Sequence, residues 1–184
     1  MSRPIYLVRH GEAAAHWGQS ADPGLSALGC EQAEVCARVL APRLDAGAVL
    51  LSSPLARATQ TAAPLARHIG VDVSVSEAFR EIPAPVPLPQ RRDWLRAFMR
   101  EEWKRQDEAL ITWREALLSA LYSTQCPVVI FTHFLVINTV VGHIRGSERT
   151  LSFWPDNGSV TELLLRDGRL ELVTLGREME TVVN

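Results

Sequence analysis

The stretch Leu7-Val8-Arg9-His10-Gly11-Glu12 decides how this sequence is read. The apolar run Ile5–Val8 passes without a break into an arginine, a histidine and a glycine. A short continuous apolar run fits a strand buried on both faces, as in a parallel sheet. In an open α/β sheet, ligands bind beyond the carboxyl ends of the strands. Arg9 and His10 therefore stand where substrate chemistry is expected. Gly11 lets the chain turn and lets backbone N–H groups come close to an anion. Arg9 offers a planar, permanently charged fork for phosphate oxygens.

The same pattern recurs along the chain. Further strand-like runs lie at Val49–Leu51, Val71–Val75 and Val128–Thr132. Val160–Leu165 and Leu170–Leu175 flank Asp167-Gly168, a dipeptide suited to a type I′ turn, so they read as a late hairpin. Helical patterns fall between the strands. Ser26–Leu40 starts at a serine cap. A second helix is expected from a Ser53 cap, with Pro54 at its first position, to about His68 before Gly70. A third helical region spans about 89–123 and reads as two helices. A fourth runs from near Leu135 to Gly142 or His143. Strands alternating with helices imply an α/β fold, with a mainly parallel central sheet covered on both faces. The proline tract 83–89 cannot continue a helix or pair within a sheet. It reads as an extended link into a helical insertion at about 83–123, inside one domain covering 1–184.

The bulk composition narrows the function classes. The chain has 184 residues, 47% of them hydrophobic, and a formal net charge of −2. That size supports a core without disulfide or metal staples, and that charge gives no footprint for nucleic acid. Lys104 is the only lysine, so the basic residues are nearly all arginine. Cys30, Cys36 and Cys126 are odd in number and form no CxxC pair, which fits reduced thiols in a cytoplasmic protein. No run is long and apolar enough for a membrane helix, and the N-terminus has no signal-peptide pattern. Asn157-Gly158-Ser159 matches a glycosylation sequon but reads as a turn.

Three more segments carry chemistry. Ser52-Ser53-Pro54-Leu55-Ala56-Arg57-Ala58-Thr59-Gln60-Thr61-Ala62 places Arg57 in the first turns of a helix that follows a strand end. Phe131-Thr132-His133 ends another buried run, and Phe134 begins a helical pattern. Phe79-Arg80-Glu81-Ile82 follows the third strand. Together with LVRHGE, these segments resemble the signatures of the histidine phosphatase superfamily. Leu25–Ala33 and the Pro155-Asp156-Asn157-Gly158-Ser159-Val160 entry to a late strand are similar to its scaffold motifs. The matches keep the family's order from residue 5 to about 165.

The resemblance implies a three-layer α/β/α sandwich and a metal-independent phosphatase without cofactors. His10 is the implied nucleophile, which becomes a phosphohistidine. His133 is the second catalytic histidine, and Arg9 and Arg57 bind phosphate. Glu81 is the proton donor by position, with Glu77 the alternative. Departures from the family pattern stand at Ala13, His16 and Phe134. His16 is either a phosphate donor or a loop residue. Phe134 replaces the family's glycine; its N–H remains for phosphate, while its ring narrows or covers the pocket. The region 93–122, rich in Trp and Arg, is either an amphipathic pair packed on the sheet or a cap in which Arg91 or Arg92 meets a second anionic group. The implied partner is a small phosphorylated substrate or a phosphoprotein. A mutase-type phosphotransferase and a catalytically impaired phosphate-binding member are the alternatives.

Overall fold

The computed structural model describes residues 2–15 and 19–180, so His16 lies outside the described residues. The strands are β1 (Ser2–Arg9), β2 (Val49–Ser52), β3 (Val73–Val75), β4 (Val128–Thr132), β5 (Val160–Arg166) and β6 (Arg169–Thr174). They form one six-stranded sheet in the order β3-β2-β4-β1-β5-β6. β1 runs parallel to β4, and β2 parallel to both β3 and β4. β5 and β6 add antiparallel to this core as the expected hairpin. Its turn has positive φ at both Asp167 (49°) and Gly168 (75°), as a type I′ turn requires.

The helices are α1 (Ala27–Leu40), α2 (Ala56–Ile69), α3 (Arg91–Phe98), α4 (Glu108–Tyr122) and α5 (Phe134–Ile144). Alternation along the strands assigns them to layers. Ile5 and Leu7 of β1 and Ile130 of β4 pack with Leu117 and Leu121 of α4 and with Val136, Ile137 and Val140 of α5. Tyr6, Val8, Val129 and Phe131 point the other way, onto Cys36 and Leu40 of α1 and Ala58, Ala62 and Leu65 of α2. This is the α/β/α sandwich, and both faces of β1 and β4 are sealed. β4 is buried at every position, so it reads as an unbroken apolar run.

The helical region after the proline tract divides. The C-terminal half of α4 belongs to the sheet layer through Leu117 and Leu121. α3 belongs instead to a separate cluster, in which Leu95 and Phe98 meet Ile82, Trp103, Leu110, Phe134 and Leu135. α3 is thus carried at the carboxyl end of the sheet, against the start of α5.

Two local expectations are corrected. Ser53 does not cap α2 from one residue away. The helix starts at Ala56 with Leu55 at its N-cap and no side-chain cap bond from that residue. The Ala56 N–H instead donates to Asp22 Oδ1 at 2.8 Å, a cap supplied from the loop after β1. β3 is shorter than expected, beginning at Val73 rather than Val71, because the chain still closes α2 there. The Val71 N–H donates to Ala66 O at 3.2 Å, after Gly70 takes the left-handed φ of 69°.

Candidate active site

The carboxyl ends of β1, β2 and β4 open on one side of the sheet. The His10 N–H donates to Thr132 O at 3.0 Å, extending the β1–β4 ladder one residue past the end of β1. His10 and His133 therefore emerge side by side, with ring centroids 5.2 Å apart at 61°. His10 is buried, and its Nδ1 lies 2.7 Å from Gly11 O. A carbonyl only accepts, so Nδ1 carries the proton and Nε2 keeps its lone pair. That lone pair accepts from Arg57 Nε at 3.1 Å.

Arg57 is buried in the first turn of α2, and its position follows from how that helix is tied down. Thr61 Oγ1 donates to Arg57 O at 2.6 Å and accepts the Gly11 N–H at 3.0 Å. The same helix turn thus holds both the histidine loop and the arginine. Gly11 serves a different purpose from the one expected of it: its N–H is spent on Thr61. A Cβ on it would stand 2.4 Å from Gly29 O, and a Cβ on Gly29 would stand 2.1 Å from Glu12 O. The two glycines let α1 press directly against the turn that carries His10. Ser26 locks this contact. Its Oγ accepts the Gly29 N–H at 3.0 Å and donates to Glu12 Oε1 at 2.7 Å.

His133 is buried, with Nε2 2.7 Å from Ser53 Oγ. Its Nδ1 is buried without a hydrogen-bond partner among the described residues. Ser53 also accepts the Leu55 N–H at 3.3 Å, so the residue expected to cap α2 instead ties the start of that helix to the second histidine. Sequence reasoning missed this partnership. Ser53 precedes a proline and a helix, a pattern that fits capping equally well.

Glu81 is buried too, held by the Ile82 N–H on Oε1 at 2.9 Å and the Leu135 N–H on Oε2 at 3.3 Å. Glu77, the alternative acid, is exposed and pairs with Arg80 Nη1 at 3.2 Å. Arg9 donates through Nη1 to Pro155 O at 2.8 Å and lies 5.1 Å from the centre of the Phe134 ring. The Phe134 side chain is buried against Arg9 and Trp154, so it packs below the arginine rather than across the pocket. Its backbone N–H opens α5 directly after His133.

Burial and neighbouring charge set the protonation states. Burial, followed by Arg57 and Arg9, holds His10 well below its ordinary 6.5, and His133 is lowered by burial and then by His10 and Arg57. Both rings are neutral at physiological pH. Burial raises the Glu81 carboxyl above 4.5, against the pull of the two backbone donors and Arg57. Burial lowers Arg9 to about 10, which leaves it cationic at neutral pH.

A cavity of about 610 Å³ opens over these groups. Arg9, His10, Arg57 and Asn157 line its floor, and Arg91, Arg92 and Arg96 of α3 line its rim. The sequence raised Arg91 and Arg92 as alternatives; both line the cavity, and Arg96 joins them. The Arg91 Nε is buried without a hydrogen-bond partner among the described residues. A side chamber of about 280 Å³ adjoins through Arg91 and contains Glu81, Arg80 and the apolar residues Ile82, Pro83, Val86 and Leu88. Among the described residues no three His, Cys, Asp or Glu side chains gather as a metal site. No helix among them is long and apolar enough to cross a membrane.

Known proteins share this fold. A mycobacterial glucosyl-3-phosphoglycerate phosphatase superposes with a TM-score of 0.78 at 21% identity, covering 97% of this chain and 100% of its own. A phosphoserine phosphatase from Entamoeba histolytica, solved with 3-phosphoglyceric acid, gives 0.75 at 21% identity, covering 96% and 98%. The PE-PGRS family protein PE_PGRS11 of Mycobacterium tuberculosis is 39% identical over 93 residues, 47% of this chain but 16% of that much longer protein. The model of the histidine phosphatase superfamily, branch 1, matches residues 5–178, and the chain belongs to that family.

Proposed function

We propose that this chain is a metal-independent phosphatase that hydrolyses a small phosphomonoester through a covalent phosphohistidine on His10. The observation that carries the reading is the state of His10. Its Nδ1–H is fixed on Gly11 O, and its Nε2 lone pair lies among Arg57, Arg9 and His133. A neutral, oriented imidazole beside fixed cations is a nucleophile placed where an anionic phosphoryl group binds.

The reaction then balances as two displacements. On binding, phosphoryl oxygens take the Arg57 and Arg9 donors and the N–H of Phe134, and, in the tautomer in which Ser53 donates to Nε2, the unpartnered Nδ1 of His133. This releases His10 Nε2 from Arg57. Nε2 attacks phosphorus, the ester P–O bond breaks, and the Glu81 carboxyl gives its proton to the leaving oxygen. Water then gives a proton to the Glu81 carboxylate and its oxygen attacks phosphorus. The P–N bond breaks, phosphate leaves and Glu81 is again protonated. The raised Glu81 pKa suits this donor. The arginines supply the positive charge that phosphoryl transfer needs.

The rim adds a substrate class. Arg91, Arg92 and Arg96 suit a phosphomonoester bearing a second anionic group, a carboxylate or another phosphate. The cavity volume favours a small phosphorylated substrate over a phosphoprotein. The Entamoeba histolytica relative is named as a phosphoserine phosphatase and was solved with 3-phosphoglyceric acid, and both compounds are of this kind. The free thiols Cys30, Cys36 and Cys126 suit the reducing cytoplasm.

Turnover of p-nitrophenyl phosphate and of phosphorylated hydroxy acids tests the reading, combined with trapping of the phosphoenzyme by denaturation in alkaline detergent. The wild-type chain is expected to form a phosphohistidine that is acid-labile and stable to base. His10→Ala is expected to lose both turnover and trapping. Full turnover by His10→Ala would overturn the proposal.

A further inference from the structure

We infer that Phe134 and Met179 form a seat that fixes the orientation of Arg9, making both of them positioning residues for phosphate binding. The inference rests on the proposed function, because Arg9 matters only if the cavity takes a phosphoryl group.

Arg9 follows a strand on a long side chain, and burial alone does not choose its rotamer. Its donors are unevenly used. Nη1 donates to Pro155 O at 2.8 Å and to Met179 Sδ at 3.4 Å. Nε is buried without a hydrogen-bond partner among the described residues. Beneath the guanidinium lies the Phe134 ring, its centre 5.1 Å from Cζ. A ring face attracts a cation, and the attraction strengthens where water is excluded. The ring is itself fixed, buried at the start of α5 and tilted against Trp154 with centroids 5.3 Å apart.

The C-terminal segment completes the seat. The Met179 N–H donates to Trp154 O at 2.8 Å, and Pro155 and Glu178 form an antiparallel bridge. The Asp156 N–H donates to Arg177 O at 2.8 Å, and the Arg177 guanidinium returns to Asp156 Oδ2 at 2.8 Å. Residues 154–156 and 177–179 are therefore zipped together. This zipper brings the Pro155 carbonyl and the Met179 sulfur to the same Arg9 nitrogen. With Nη1 held and one guanidinium face covered, the fork has one orientation left for an oxygen ligand. Met179 also lines the cavity beside Arg9, so the C-terminal segment is a wall of the site.

A double-mutant cycle on inorganic phosphate binding, followed by titration calorimetry, tests this independently of turnover. Phe134→Leu keeps apolar bulk and removes the ring face; it is expected to weaken phosphate binding about tenfold, within the range of a desolvated cation–π contact. Met179→Leu stands on a 40% exposed residue, so its fold is secure, and about a two- to threefold loss is expected. Both losses are expected to vanish in an Arg9→Gln background. In turnover the change should appear in KM and kcat/KM more than in kcat. Losses that persist undiminished with Arg9→Gln, or wild-type binding in both single variants, would overturn the seat. If the wild-type chain fails to bind phosphate, the proposed function falls and takes this inference with it.

Discussion

The floor of the site and its rim are both cationic, yet they are built in opposite ways. On the floor and in the chamber beside it, His10, Arg57, His133 and Glu81 are all buried, and each has a polar partner distant in sequence. On the rim, the Arg92 and Arg96 side chains are each 61% exposed, and their ion-pair contacts to Asp93 are 3.9 Å long. Buried charges act in low dielectric and cannot relax, so they can be aimed at developing charge. Exposed charges are screened by water and salt, so they attract and sort ligands without holding reacting atoms. Under the proposed function, the floor carries the chemistry and the rim the selection.

The sharpest way to break this contrast is to remove the acid. Glu81→Gln keeps the shape and deletes the proton; kcat should fall roughly 10²–10⁴-fold, read by steady-state kinetics. The loss should shrink for p-nitrophenyl phosphate, whose leaving group needs little protonation. The same variant tests stability, and the sign follows from the direction of the shift. The folded Glu81 pKa lies above 4.5, so the folded chain keeps the proton longer than the unfolded one. The contribution of Glu81 is present below pH 4.5 and is lost as pH rises through the folded value. Thermal melts should therefore move in favour of Glu81→Gln as pH is raised from 4 to 8. The two histidines have the other sign: lowered below 6.5, they contribute above that pH and cost stability as it falls.

Next in size is Arg57→Ala, which removes a buried donor aimed at His10 Nε2. Loss of one fixed donor to a transition-state oxygen costs roughly 10²–10³-fold. The loss should depend little on salt, since only 4% of the residue is exposed. A smaller effect is expected from the scaffold under the floor. Gly29→Ala drives a methyl to 2.1 Å from Glu12 O, backbone against backbone, with no flexible side chain to yield. Urea denaturation should show destabilisation of about 1–3 kcal/mol, as for other overpacked sites.

Much of the floor was legible because its residues sit at strand ends. Ile5–Val8 and Val128–Thr132 are unbroken apolar runs, so the polar residues that follow, His10 and His133, could be placed at the carboxyl edge, while their roles came from the resemblance to the family. Arg57 lies in the first turn of the helix after β2, but it was the family-like segment around it, not its position alone, that marked it. The rim was less so. Helical spacing left 93–122 open between a pair packed on the sheet and a cap. The structure divides the two roles: α4 packs on the sheet and α3 carries arginines to the cavity. Long-range partners were not legible at all. Ser53 on His133, Asp22 capping α2 and Met179 on Arg9 join positions far apart in sequence, and no local periodicity encodes them.

The smallest effect belongs to the rim and separates it from the floor most cleanly. Arg92 and Arg96 are solvated, so each removes little on its own; exposed pairs are typically worth about 0.2–1 kcal/mol. Arg92→Ala or Arg96→Ala should therefore change kcat/KM by no more than about fivefold, the change that 1 kcal/mol allows. The effect should appear only with substrates that carry a second anionic group, and it should fade as salt is raised. Arg91 is the intermediate case. It lies in the wall shared with the Glu81 chamber, and its Nε is buried. Arg91→Ala should therefore cost more than either neighbour and keep part of its effect at high salt. Equal losses for all three arginines, or a salt-insensitive loss at Arg96, would make the rim part of the catalytic floor.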